Sequence, residues 1–324
     1  MVGALLGTAV GDALGAPFEG RSRAEVARDF GRVDRFVGAD SQGCFTDDTE
    51  MSIALGESLV RCGGVDAGDC AATYARWFAA PPRRGYGPSA SRVLRMLAQG
   101  ADHRTTGRAV HPEGSFANGG AMRIAPVGLA YRHAPEPMLR AAVEAALLCT
   151  HVHPDAVDGA TIQALAVAEL CRAPAFSAED VGRLLARLRD ASVTDSLRRR
   201  MDVVIRGLRE GWTDEALLEG VCTPNAFGRQ FQIHAAEAAA CALWAFATSW
   251  AAPEEAVIRA VMLGGDTDTV GAMTGALAGA LHGTAWIPAR WYAALENDPG
   301  IGRDHLIVVA RQVARLDLGY GLRE

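Results

Sequence analysis

Two segments of this chain carry glycine at every fourth position: Gly3, Gly7, Gly11 and Gly15 in one, Gly271, Gly275, Gly279 and Gly283 in the other. On an α-helix this spacing aligns them in a single stripe. A mid-helix glycine costs about 1 kcal/mol relative to alanine, so four in a stripe need compensation. The physical return is that another backbone can approach a surface bare of side chains. A coding bias toward Gly and Ala multiplies glycines but does not space them four apart twice. The stripes therefore predict two closely packed central helices. Each stands next to carboxylates: Asp12 and Glu19 at the first, Asp266 and Asp268 at the second.

The remaining chain has the same period. MSIALGESLV, LRAAVEAALL, TIQALAVAELC, VGRLLARLRD, EAAACALWAFATSW and EEAVIRAVML all repeat apolar residues at helical spacing. Alternating strand-like runs and Asn-Gly hairpins are nearly absent. Breaks are expected over 81–88 (PPRRGYGP), 111–120, 150–154, 223–228 and 263–266. No low-complexity linker divides the chain, so the expectation is all-α, with residues 1–324 as one domain. The composition, 49% hydrophobic and 22% charged, is that of an ordinary globular protein.

Several function classes are excluded. The formal net charge of −6 leaves no electrostatic footprint for nucleic acid as a general partner. All 32 basic residues are Arg. Without Lys there is no Schiff-base lysine and no GxxxxGK phosphate loop. The seven cysteines are odd in number and form no CxxC pair, which reads as reduced thiols in a cytoplasm. The first residues, MVGALLGTAVGDALGAP, superficially resemble a signal peptide, but they lack a basic start and Asp12 interrupts the apolar run. No apolar stretch approaches the ~20 residues of a membrane span.

Chemistry concentrates in two clusters. In FTDDTE, residues 45–50, Thr46, Asp47, Asp48, Thr49 and Glu50 directly precede an apolar helical run. A helix start accounts for part of this, with Asp47 as N-cap and Glu50 three residues on. GGDTDTVG, residues 264–271, repeats the design with Asp266, Thr267, Asp268 and Thr269. Hard divalent cations want carboxylate and hydroxyl oxygens. Four or five carboxylates in one site would need about two such cations, and two-metal sites activate water and clamp oxygens. A calcium loop starting at Asp266 fails, because its twelfth residue is Leu277 rather than Glu. DTDTV also matches the nucleophile motif of haloacid-dehalogenase-type phosphatases, but it lies near the C-terminal end, with no Lys in the chain and no room for the downstream acidic motif.

GALLGTAVGDALGAPFEG (3–20), FTDDTEM (45–51), SFANGGAMRIAPVGLAY (115–131), THVHPDAVDGA (150–160) and GGDTDTVGAMTGALAG (264–279) together resemble the ADP-ribosylglycohydrolase family, in family order. The resemblance implies a compact orthogonal helix bundle with two Mg²⁺ or Mn²⁺ ions that orient the ribose hydroxyls of ADP-ribose. It implies Thr46, Asp47 and Asp48 as one ligand group, and Asp266, Asp268 and Thr269 as the other, with Asp268 as the bridge between the metals. Glu19 matches a loop glutamate that reaches the metals or gates the cleft. Gly114, Ser115, Phe116, Ala117, Asn118 and Gly119 match the loop that wraps ADP-ribose, and a Gly-rich turn entering a helix offers N–H groups to a diphosphate. Phe116 stands where an aromatic often stacks on adenine or ribose, and His151 matches a histidine near the substrate. Where the family commonly reads GNG this chain has Ala117-Asn118-Gly119, so slight crowding is expected.

The implied reaction is hydrolysis at the anomeric ribose carbon, through an oxocarbenium-like state helped by a carboxylic acid and a base. Glu19, Asp47 and Asp48 are the candidates for that role. The implied partners are ADP-ribose and an ADP-ribosylated acceptor, expected to be protein, and a monomer is expected. The rival is an inactive ADP-ribose-binding relative. Such a relative would be expected to lose metal ligands, whereas every matching position here keeps an oxygen-bearing side chain. Acceptor specificity is expected to depend on residues 81–88 and 223–230.

Overall fold

Six of the seventeen α-helices among the described residues position the site: α1 (Val2–Gly15), α2 (Asp47–Cys62), α3 (Pro88–Ala98), α4 (Pro154–Leu170), α5 (Ala235–Thr248) and α6 (Thr267–His282). The computed structural model describes residues 1–38, 42–226 and 228–319; of the predicted break over 223–228, Phe227 lies outside them. Among the described residues the only β pairing is three isolated bridges, so the chain is all-α.

The two glycine stripes face each other. A Cβ built on Gly7 would lie 2.0 Å from the Gly275 carbonyl oxygen, and one on Gly275 2.0 Å from that of Gly7. Gly3 meets Gly279 and Gly283, Gly11 meets Gly271, and Gly15 meets Thr267. The pairing runs in opposite directions, so α1 and α6 are antiparallel with their backbones in contact. Every residue of Gly3–Gly15 and of Thr267–Ala280 is buried. Helices α4 and α5 pack against α6: the Gln163 amide donates to the Met273 carbonyl at 2.9 Å, and the Thr274 hydroxyl to that of Ala242 at 3.4 Å. The antiparallel arrangement brings the end of α1 beside the start of α6, and so delivers Asp12 and Glu19 to Asp266 and Asp268.

The connections reinforce that junction. Gly264 and Gly265 have φ of +74° and +81°, a region that favours glycine, and a Cβ on Gly264 would meet the Arg23 nitrogen at 2.3 Å. The Gly20 N–H donates to the Gly265 carbonyl at 2.8 Å, and the Gly265 N–H to that of Arg21 at 2.7 Å. Two backbone hydrogen bonds thus stitch the segment carrying Glu19 to the turn that launches α6.

Candidate active site

The start of α2 is organised from outside itself. Asp12, fully buried in α1, accepts the Thr46 N–H on both oxygens at 3.0 Å, the Thr49 N–H at 3.0 Å and the Thr49 hydroxyl at 2.6 Å. A neighbouring helix therefore caps the orphan N–H groups of this helix start. The N-cap residue is Thr46, not Asp47. Glu50 does not turn back to close a capping box. It accepts from the Tyr86 hydroxyl at 2.6 Å and pairs with Arg84 at 3.3 Å. Arg84, itself buried, also holds Glu296, donates to the Phe45 carbonyl at 3.0 Å and lies over the Phe45 ring at 4.3 Å. The Asp47 N–H donates to the Arg84 carbonyl at 3.1 Å and the Asp48 N–H to the Thr46 hydroxyl at 3.4 Å, and both carboxylates line a cleft of about 400 Å³.

Opposite stands the start of α6. One ligand oxygen each from Glu19, Asp266 and Asp268 lie within 4.8 Å of one another. The Asp266 N–H donates to Gln232 Oε1 at 2.9 Å, and its carboxylate accepts from the Asn118 amide at 2.7 Å. The Thr269 N–H donates to Asp268 Oδ1 at 2.9 Å. Thr46, Asp47, Asp48 and Thr269 line the same cleft. Glu19, expected from the resemblance to reach the metals or gate the cleft, is thus brought into contact range of Asp266 and Asp268.

Without a cation these groups oppose one another. Burial pushes Asp12 up to about 6, against the bonds from Thr49 and Thr46. Asp47 is pushed up to about 8, first by burial and then by the charges of Asp12, Glu19 and Asp266. Burial and neighbouring carboxylates also raise Asp48 and Asp268 well above the usual range, and Glu19 moves the same way. Like charges crowded out of water disfavour ionisation. Asp48 Oδ1 is buried and accepts no hydrogen bond. An orphaned carboxylate oxygen among hard oxygen donors is what a divalent cation fits.

The 114–119 loop forms another wall. Gly114, at φ +87°, packs so tightly that a Cβ would meet the His153 nitrogen at 2.5 Å, and one on Gly119 would meet His151 Cε1 at 2.9 Å. Ala117 lies at φ −66°, ψ 158°, a backbone open to any residue. Ser115 lines the cleft. Asn118 lines it too, but its amide is committed to Asp266 and, at 2.8 Å, the Gln232 carbonyl. Phe116 is 48% exposed and stacks on His234 with ring centres 5.1 Å apart. His151 is buried with Nδ1 unpartnered, and burial together with Arg123 depresses it to about 3, so the ring is neutral. His153 is the N-cap of α4, accepting the Asp155 N–H at 3.1 Å.

Of the two stretches expected to shape specificity, 81–88 borders the cleft through Arg84, Gly85, Gly87 and Pro88. No described residue of 223–230 does. Arg229 instead donates to the Gly20 carbonyl at 3.0 Å, bracing the Glu19 segment. Asp12, Gln232, Arg84 and Glu296 had no role assigned from the sequence, and Glu50 had a different one, at the helix start. Asp12 alone carried a signal, a carboxylate inside an apolar, glycine-striped helix.

A family model described as ADP-ribosylglycohydrolase matches residues 1–321. The chain is 30% identical over 301 residues to the ADP-ribosyl-dinitrogen reductase glycohydrolase of Rhodospirillum rubrum, covering 91% of this chain and 90% of that protein. It is 29% identical over 323 residues to ADP-ribosylhydrolase ARH3 of Bos taurus, covering 91% and 88%. Among solved structures, an ADP-ribosylglycohydrolase-related protein complex matches with a TM-score of 0.73 at 31% identity, covering 98% of this chain and 97% of that one.

Proposed function

Because the chain belongs to the ADP-ribosylglycohydrolase family and is thereby a hydrolase of ADP-ribose linkages, we propose that it removes ADP-ribose from a protein side chain with the help of two divalent cations, Mg²⁺ or Mn²⁺. The observation that carries this reading is the convergence of Glu19, Asp47, Asp48, Asp266 and Asp268 on one cleft, with Asp48 Oδ1 buried and unpartnered. Thr46, Asp47 and Asp48 would hold one side of the metal pair. Asp266, Asp268 and Thr269 would hold the other, with Asp268 between. When bound, the cations supply positive charge that neutralises the carboxylates and orients ribose hydroxyls.

The chain's own residues do the remaining work. The 114–119 loop and His151 bind the ADP-ribose, and Phe116 offers its exposed ring to adenine or ribose. Asp12 holds the start of α2 in place, and Gln232 with Asn118 holds Asp266. Glu19 is the site carboxylate most open to solvent, and we assign it the proton transfer. Water adds to the anomeric carbon, the bond to the acceptor atom breaks, and the proton released by water is balanced by one gained at the leaving atom. The full chain acts as one domain and as a monomer. Seven unpaired cysteines support a reducing compartment such as the cytoplasm, and no described helix is long and apolar enough to cross a membrane.

The test is a panel of peptides ADP-ribosylated on arginine, serine or other side chains, with an ADP-ribosylated nucleic acid as comparison. Each is incubated with Mg²⁺ or Mn²⁺, and released ADP-ribose is detected by mass. Release from at least one peptide is expected. Release from the nucleic acid alone would overturn the protein-acceptor reading.

A further inference from the structure

Two arginines are buried in the walls of the cleft, and they are treated differently. Arg84 is ion-paired with Glu50 and Glu296. Arg123 is only 1% exposed, yet its partners are all neutral. Its Nη1 donates to the Gly119 carbonyl and its Nη2 to the Thr150 hydroxyl, each at 2.6 Å. The guanidinium lies 4.7 Å over the Tyr74 ring, touches Met51 Sδ at 3.7 Å, and leaves Nε buried without a partner. Among the described residues no carboxylate pairs with it.

A buried charge without a counter-charge is expensive, and arginine cannot escape by losing its proton. The fold does not need this one unpaired, since Arg84 shows that carboxylates are available to buried arginines here. Gly119 and Thr150, the groups that Arg123 holds, both line the cleft, and Arg123 lies with them in its wall. Its field reaches His151, where it adds to burial in keeping the ring neutral. The same cleft is lined by Glu19, Asp47, Asp48, Asp266 and Asp268, so an anion entering it is helped by a fixed positive charge.

We propose that Arg123 supplies the positive charge by which the cleft selects an anionic, diphosphate-bearing ligand. This rests on the reading of ADP-ribose as the ligand. Arg123 acts from behind the wall, through the Gly119 carbonyl and Thr150, and is a specificity-determining residue rather than a catalytic one.

The experiment titrates the full chain, loaded with Mn²⁺, with ADP-ribose by calorimetry, alongside metal content and thermal melting. Arg123→Met keeps the length and removes the charge; it should raise the Kd roughly ten- to hundred-fold with metal content retained. Arg123→Lys keeps the charge without the planar fork and should stay close to the parent. Thr150→Asp leaves the arginine in place but gives it a carboxylate. It should weaken ADP-ribose binding as Arg123→Met does, and it decides the matter if Arg123→Met fails to fold. Equal losses in the Lys and Met variants would assign Arg123 to scaffolding and overturn the proposal. Loss of Mn²⁺ in the Met variant would instead show that the guanidinium balances the carboxylates, which also overturns it. If the parent itself does not bind ADP-ribose, the ligand reading fails; if the parent binds and neither Arg123→Met nor Thr150→Asp weakens binding, only this inference does.

Discussion

Gly275→Ala tests the logic of the glycine stripes with one methyl group. The added Cβ would lie 2.0 Å from the Gly7 carbonyl oxygen, a backbone atom that cannot rotate away. To reach the 3.4 Å of an ordinary contact, α1 and α6 must move apart by about 1.4 Å at that point. Overpacking of this kind typically costs about 1–3 kcal/mol. At about 2 °C per kcal/mol for a chain of this size, the melting temperature should fall by roughly 2–6 °C. Gly182→Ala is the matched control. Gly182 lies in the helix Ala178–Ala191, and a Cβ there meets nothing within 4 Å. That substitution should raise stability by about 0.5–1 kcal/mol through helix propensity. Differential scanning calorimetry on both variants reads opposite signs for the same chemical change. Because α1 and α6 also carry Asp12, Asp266 and Asp268, Gly275→Ala should weaken Mn²⁺ binding as well. If Gly275→Ala melts at or above the parent temperature, close backbone contact is not what the stripes provide.

Three further outcomes follow from the site. Asp268→Asn should lower metal content, ADP-ribose affinity and turnover together, whereas Glu19→Gln should lose roughly 10²–10⁴-fold in rate while retaining metal; elemental analysis with turnover assays distinguishes them. In EDTA, the folded protein binds protons on Asp47, at about 8, and on Asp48 and Asp268 that the unfolded chain has lost. Stability should then fall as pH rises from 6.5 to 8.5; the neutral His151, held at about 3, opposes this trend only below about 6.5. Thermal melts at both pH values in EDTA should show the fall and added Mn²⁺ should flatten it; a rise would contradict the crowding of carboxylates. Arg84→Met leaves Glu50 and Glu296 buried without their partner and should cost about 3–5 kcal/mol, measured by urea unfolding.

Much of this architecture was legible in the sequence, and the remainder was not for identifiable reasons. The stripes announced close packing, but any backbone satisfies a bare surface, so their partnership with each other needed the structure. Asp266 and Asp268 stood out because polar ligands open an otherwise apolar helix. The cap of α2 was misplaced by one residue because the competing group, Asp12, lies 34 residues upstream of Thr46 and takes the donors that Asp47 was expected to satisfy. Glu50 looked like part of the acidic cluster because its partners, Arg84 and Tyr86, lie in a loop beyond the helix that Glu50 begins. Gln232, which fixes Asp266, is an ordinary glutamine in a loop and carried no local signal. Arg123 stood inside the 115–131 motif with no role assigned to it; its meaning comes from its burial and its neutral partners.

The central claim is that these carboxylates exist to hold cations for the cleavage of an ADP-ribose linkage. Its most direct measurement is ADP-ribose release, by mass, from an ADP-ribosylated peptide that the parent enzyme cleaves. The enzyme is stripped with EDTA, desalted, and then titrated with Mn²⁺ or Mg²⁺. The stripped enzyme should release nothing, and adding either ion should restore release, saturating at two ions per chain. Full release by metal-free protein would contradict the central claim.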